Sequence, residues 1–380
     1  MLFTATERAL LDRTRAFAHD SVAPQAARWE RERRIGHEAL DEAVAIGLTR
    51  MQVPAAFGGL DLSFSCKAAV TEVLAGADFG FAMSLVNTHN VAAKLARDAT
   101  PAVAARYLPD LIAARRLGCT ALTEPGAGSD FGAITTSATR VGGGWRIDGA
   151  KAWITNAALA DVVVLFAQTQ PGSGGSGIAC FGVDGRRAGF VREPAFALGG
   201  QHSIGTGGFR LDGYLAQDDE LVHPSGQAFK AALGSINGAR TYIAAMCCGM
   251  VGAALQVVLD HGRQRHSFGQ PLAAHQGWRW RLAEASAELA GCRAMVAQAA
   301  ALIDAGQAAG YEAQLAAAQA KLLANRMAER QLPALAQLMG AEGLREQHPF
   351  SRHLLGARVA GLVDGSTEML LERIAAVMQR

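Results

Sequence analysis

The sequence predicts a mainly α protein with a β domain set into it. An N-terminal all-helical domain covers 1–118, a middle β barrel or sandwich 119–225, and a C-terminal four-helix bundle 226–380. Three observations predict this. Apolar residues recur at helical spacing through the first block and, in longer runs, through the last. Between the two blocks the texture turns to short apolar runs separated by glycine turns. No β-α-β alternation occurs, so a doubly wound nucleotide-binding sheet is not expected. The chain has 380 residues, half of them hydrophobic and 18% charged, enough for two or three domains with sizeable cores.

Each element has its own signal. Leu10, Leu11, Phe17, Ala18 and Val22 keep helical spacing over 4–30, with Thr6 as a cap and Pro24 as a break. A second helix is expected over 38–47, and the Pro54, Gly58 and Gly59 stretch then breaks the chain. Helices follow over 65–77 and 82–98, and one over 101–114 opens with Pro101 in its first turn. Val141 and Trp145 flank a glycine turn joining two strands. The runs 162–166 and 178–183 read as buried strands, and 209–211 as an edge strand. The last block reads as helices over 227–264, 275–305, 312–331 and 366–379, with breaks at Pro271, Gly306, Gly310 and Pro333.

Charge and cysteine content exclude several functions. Thirty-six basic against 34 acidic residues give a net charge of +2, so neither nucleic acid nor an anionic membrane surface is the expected partner. The six cysteines form no CxxC pair and read as reduced, buried thiols of a cytoplasmic protein. No metal site is expected, because His261 and His266 lack a third ligand and no HExxH occurs. The first twenty residues carry too many charges for a signal peptide, and no run of 18 uncharged apolar residues suggests a membrane span.

At the first change of texture stand Leu122, Thr123, Glu124, Pro125, Gly126, Ala127, Gly128, Ser129 and Asp130. Gly126 and Gly128 can take positive φ, and successive amides there would form an anion-binding concavity with the Ser129 hydroxyl as a further donor. The alternative is a surface turn joining two domains. The stretch is not a GxGxxG loop, since no strand and helix flank it.

Further along stand Gly149, Lys151, Trp153, Ile154, Thr155 and Asn156. Later come Arg263, Arg265, His266, Ser267, Phe268, Gly269 and Gln270, followed by His275 and Gln276. Gln337, Gly340 and Gly343 precede Asp364, Gly365, Ser366, Thr367 and Glu368. In this order the stretches resemble the acyl-CoA dehydrogenase family, over the whole chain from Pro54 to the last helix. The resemblance implies an FAD-dependent enzyme of fatty acid metabolism. Such an enzyme removes the α proton of an acyl thioester with a carboxylate while the β hydride passes to flavin N5.

The same resemblance implies roles. Leu122 and Thr123 would face the flavin ring, and Gly128 and Ser129 the pyrophosphate and the thioester tail. Trp153, Ile154 and Thr155 would pack on the ring, with the Thr155 hydroxyl at N5. Arg265, Ser267, Phe268, Gln276, Gln337 and Gly340 would reach the FAD of a neighbouring subunit, in a homodimer or homotetramer. Ser366 and Glu368 would lie on the adenosine side. Asn237, Arg240 and Gly365 would line the substrate site. An electron-transfer flavoprotein would take the electrons.

Asp364 stands where the family's base is usually Glu. Its carboxylate is one C–C bond shorter, about 1.5 Å. The other place where the family carries a base is Ala239 here. In isolation Asp364 reads as a turn aspartate before Gly365, with the last helix capped through Ser366 or Thr367. Asn237 replaces the usual acid three residues before Arg240, and Ser267 and Ser366 replace threonines. These departures open three alternatives: an acyl group on a carrier protein, a nitroalkane-type flavin oxidase, and a non-catalytic flavoprotein.

Overall fold

The computed structural model describes residues 3–379. The first helix, α1 (Ala5–Phe17), begins at a capping box. The Thr4 hydroxyl accepts from the Glu7 amide at 3.2 Å, and the Glu7 carboxylate accepts from the Thr4 amide at 2.8 Å. Thr4, not the expected Thr6, is therefore the cap. A π turn over Ala18–Val22 continues α1, and a separate α2 (Ala26–Glu32) follows. The single helix expected over 4–30 is thus two, because Pro24 has no N–H for the ladder between them. Then come α3 (His37–Ile46), α4 (Phe64–Ala77) capped by Ser63, α5 (Phe79–Asp98) capped by Asp78, and α6 (Pro101–Ile112) capped by Thr100.

The middle region is one twisted sheet. Its strands are β1 (Leu117–Ala121), β2 (Ser137–Val141), β3 (Gly144–Ile154), β4 (Ala160–Gln168), β5 (Ile178–Asp184), β6 (Phe190–Arg192), β7 (Gly207–Gln217) and β8 (Leu221–His223). The order is β6-β7-β3-β2-β4-β5-β8, with β1 parallel to β4. The β2–β3 hairpin turns at the expected glycines, where Gly143 takes φ +81°. The expected edge strand is an interior one: β7 pairs with both β3 and β6, and Phe209 stacks on Phe190 at 4.5 Å. Three-residue β6 is too short to show an alternation, so the cover over β7 was not visible in the sequence.

The last region holds α7 (Ala228–Gln264), a small hairpin of β9 (His266–Ser267) and β10 (Gln270–Pro271), α8 (Gln276–Asp304), α9 (Tyr311–Leu338), α10 (Phe350–Leu362) and α11 (Thr367–Met378). Pro333 lies inside α9 instead of ending it; it is on the exposed face, where one lost backbone bond is tolerated. The 37-residue α7 is long and apolar enough to cross a bilayer, yet its most apolar stretch is mostly buried. It packs on α4 so closely that a Cβ on Gly249 would meet the Glu72 carbonyl at 1.9 Å. This contact fixes α4 against α7 and so shapes the ground on which the candidate site stands.

Candidate functional site

The glycine stretch leaves β1 and is held from below by an ion pair. Glu124, 4% exposed, accepts from Lys151 Nζ at 2.8 Å, and the Lys151 side chain is fully buried. Lys151 also donates to the Leu122 carbonyl at 3.0 Å, and the Ala152 amide to the Thr123 carbonyl at 3.1 Å. Amides of Thr135 and Thr136 complete the shell around Glu124 at 2.7 and 2.9 Å. Burial by itself would raise the Glu124 carboxyl, but Lys151 and the threonine donors outweigh it and hold it at about 2. Burial pushes Lys151 down to about 8 against the pull of Glu124.

The loop above this pair differs from expectation in one respect. Neither Gly126 nor Gly128 takes a positive φ; the turn closes instead by a Glu124–Ala127 bridge with bonds of 3.0 and 3.2 Å. What the two glycines provide is room. A Cβ on Gly126 would meet nothing within 4 Å, and one on Gly128 only the Thr123 methyl at 4.0 Å. Ser129 and Asp130 stand exposed beside them.

At the end of β3, Trp153 is held at φ +62° and is 60% exposed, with its ring edge-on to Phe196 at 4.8 Å. A left-handed tryptophan costs about 1–3 kcal/mol and persists only where its surroundings fix it. Asn156, also at positive φ, anchors the chain just after it: its side-chain amide donates to the Ser84 and Gly118 carbonyls at 2.9 and 3.1 Å. Thr155 is half-buried between them. The Ile154 side chain points the other way, 4% exposed in the β-domain core, so it does not pack on a ring as expected. The left-handed turn at Trp153, at a break in the β3–β7 register, sends its ring outward while Ile154 returns to the core.

Asp364 lies between α10 and α11 at φ +53°, followed by Gly365 at φ +104°. Three consecutive carbonyls of this turn are gripped by cations. Arg240 Nε on α7 donates to the Asp364 carbonyl at 3.0 Å. The fully buried Lys321 on α9 donates to the Val363 carbonyl and, at 2.6 Å, to the Gly365 carbonyl. Gly365 leaves space for the guanidinium, since its Cβ would sit 3.2 Å from Arg240. Burial raises the Asp364 carboxyl above its ordinary range, and Lys321 and Arg240 pull it back only in part. Asn237 accepts from Arg240 at 3.3 Å and donates to the Ala308 carbonyl at 2.9 Å. Asp364 does not cap the last helix. Ser366 does, accepting from the Met369 amide at 3.4 Å. The Ser366 hydroxyl thus accepts at the helix end and keeps its own O–H as a donor.

The remaining predicted residues form a separate group. Arg265, Ser267 and Phe268 lie on the β9–β10 hairpin, with Phe268 96% exposed at φ +50°. Trp278 Nε1 donates to the Leu338 carbonyl at 3.4 Å, bringing the start of α8 with Gln276 to the end of α9 with Gln337 and Gly340. Gln276, Gln337 and Gly340 are exposed. Among the described residues no hydrogen bond, ion pair or ring contact joins this group to the loops of the β domain. Four side chains complete the picture: Glu124 and Lys151, quoted with their motifs but given no role, and Lys321 and Lys67, which the sequence did not single out. For Lys321 and Lys67 the only signal in the sequence is a charge beside apolar residues.

Comparison with known proteins agrees with this arrangement. Family models described as acyl-CoA dehydrogenase N-terminal, middle and C-terminal domains match residues 4–115, 119–214 and 226–379. The chain is 30% identical over 357 residues to an acyl-CoA dehydrogenase of Bacillus subtilis, covering 93% of each chain. It is 30% identical over 372 residues to the mitochondrial short-chain specific acyl-CoA dehydrogenase of Homo sapiens, covering 96% of this chain and 88% of that one. Its fold matches butyryl-CoA dehydrogenase from Megasphaera elsdenii with a TM-score of 0.92, at 26% identity and full coverage of both chains.

Proposed function

Because the chain belongs to the acyl-CoA dehydrogenase family, oxidoreductases acting on CH–CH groups, we propose that it catalyses FAD-dependent α,β-dehydrogenation of an acyl thioester with Asp364 as the base. The observation that carries the reading is the Asp364 turn. A carboxylate is held in a left-handed conformation by Arg240 and Lys321, and burial raises its affinity for a proton.

FAD fits the residues present. Trp153 and Phe268 are large apolar side chains left open to solvent, and Gly126, Gly128 and Gly340 leave room at the backbone. Leu122, Thr123, Trp153 and Thr155 would hold the flavin ring, and Gly128 and Ser129 the phosphates, with Arg265 reaching those of a second copy's FAD. Bound there, FAD supplies the acceptor for the β hydride. The protein's part is proton chemistry and orientation. An Asp364 carboxylate oxygen takes the α proton. Arg240 and Lys321 fix the backbone from which that carboxylate projects and favour its ionised form before the proton arrives. Trp153 covers the reacting region with apolar surface and reduces access of water.

Among the described residues no hydrogen bond, ion pair or ring contact ties the hairpin group around Phe268 and Gln337 to the β-domain loops, which supports a homo-oligomer in which it reaches the FAD of a second copy. The thioester is carried on CoA or a carrier protein, and an electron-transfer flavoprotein takes the electrons. The test is Asp364→Ala: the purified variant keeps its yellow flavin and loses reduction by substrate. Retained turnover would remove Asp364 from the mechanism.

A further inference from the structure

Lys67 on α4 is 5% exposed and has no carboxylate partner among the described residues. Its Nζ donates to Asn90 Oδ1 on α5 at 2.6 Å and lies over two rings, Phe64 at 5.4 Å and Tyr242 at 5.2 Å. Asn90 in turn donates to the Tyr242 hydroxyl at 3.3 Å. Among the described residues the phenol hydrogen and two of the three ammonium hydrogens therefore have no acceptor. A buried ammonium with one neutral acceptor is costly, and proteins pair such groups. Here α4, α5 and α7 converge to bury it without pairing it.

The cluster also lies beside the proposed chemistry. Tyr242 is two residues after Arg240 on α7 and is turned about 200° round the helix from it, so its link to the proposed chemistry is Asp364 and not the guanidinium. Burial raises the Tyr242 phenol well above its ordinary value, and the negative charge of Asp364 adds to the rise, so the two groups feel each other. Phe64 packs on Gly238 of the same helix, where a Cβ would stand 3.3 Å from the ring. An apolar acyl chain beside these groups would leave the ammonium and the phenol hydrogen unsatisfied. An oxyanion would satisfy both.

We propose that the acyl group is short and ends in an oxyanion such as a carboxylate, held by Lys67 Nζ and the Tyr242 hydroxyl with Asn90 orienting both. This rests on the thioester reading above and adds the substrate class. Burial, then the charge of Arg97, lowers the Lys67 ammonium to about 7, and an arriving anion would restore its charge.

The test uses the FAD-loaded full chain and two five-carbon thioesters that differ in the terminal group, glutaryl-CoA and pentanoyl-CoA. Binding is measured by calorimetry, which does not depend on turnover. Glutaryl-CoA is expected to bind roughly tenfold or more tightly than pentanoyl-CoA, the scale of one charge-assisted hydrogen bond. Lys67→Met is expected to erase or invert that preference. Asn90→Leu, which keeps the lysine but removes its orienting acceptor, is expected to reduce it and serves if Lys67→Met does not fold. Equal or tighter pentanoyl-CoA binding by the unaltered protein overturns the proposal, as does a preference that survives in the folded variants. Binding of neither thioester overturns the thioester reading and this proposal with it. A glutaryl preference without flavin bleaching leaves the proposal standing and counts against Asp364 as base.

Discussion

Lys321 Nζ donates to the Gly365 carbonyl at 2.6 Å, tying the middle of α9 to the turn that carries Asp364. Arg240 holds the carbonyl in between from α7, so the turn is clamped from two helices. A carboxylate projecting from a strained turn is only as well placed as the groups that hold the turn.

Lys321→Met is therefore expected to slow flavin reduction by about tenfold to a hundredfold, the usual effect of misplacing a reacting group by about 1 Å. The sign on pH follows from charge. Removing a cation near Asp364 raises its carboxyl further, so the acid limb of the rate moves to higher pH. Lys321→Arg keeps the charge and should return part of that shift. Stopped-flow reduction against pH measures both. An unmoved acid limb with a lowered rate would mean that Lys321 only stabilises the fold.

Glu124 and Lys151 form a buried pair whose two shifts point in opposite directions for stability. Glu124 gains from the fold and Lys151 loses, so the pair together contributes little. Breaking it is another matter. Lys151→Met alone should cost about 3–5 kcal/mol by leaving a carboxylate buried, and the double change with Glu124→Gln should cost less than the single one. The Glu124 contribution is present above its ordinary pKa and is lost as pH falls toward about 2. For Lys151, stability rises with pH between about 8 and its ordinary value, because the unfolded chain then binds more protons. Urea melts across pH check both signs.

Trp153→Ala should change stability little, since the ring is 60% exposed and the left-handed backbone strain remains. FAD affinity should fall about tenfold from the lost aromatic contact. Flavin fluorescence titration and thermal melting separate the two. Equal losses in melting temperature and affinity would assign Trp153 to the fold alone.

Phe268→Asp places a charge on a 96% exposed ring position, so the isolated chain should tolerate it. If the hairpin serves a neighbouring copy's FAD, sedimentation should show dissociation together with lower flavin content. Full flavin content in a dissociated variant would place the cofactor within one chain.

Much of this was legible in the sequence, for a physical reason. Long periodic helices such as α7 and glycine-turn hairpins such as β2–β3 declare themselves locally. Trp153, Phe268 and Asp364 did not: the family resemblance singled them out, and the structure places all three at positive φ as non-glycine residues. Other features are set by tertiary contact. The β7 strand reads as an edge until β6 lies against it. Lys321, Lys151 and Lys67 stand in runs that read as helix or strand with one solvated charge, and only packing shows that each is buried. The positive φ expected at Gly126 and Gly128 failed because the Glu124–Ala127 bridge closes the turn another way.

The most direct measurement of the central claim is anaerobic mixing of the FAD-loaded protein with a panel of short acyl-CoAs, neutral and acidic, followed at the flavin band, beside Asp364→Asn. The account predicts rapid bleaching by at least one short thioester and none in the variant, which still binds FAD and that thioester. Bleaching of equal rate in Asp364→Asn, or no bleaching of the unaltered protein by thioesters that it binds, would contradict it.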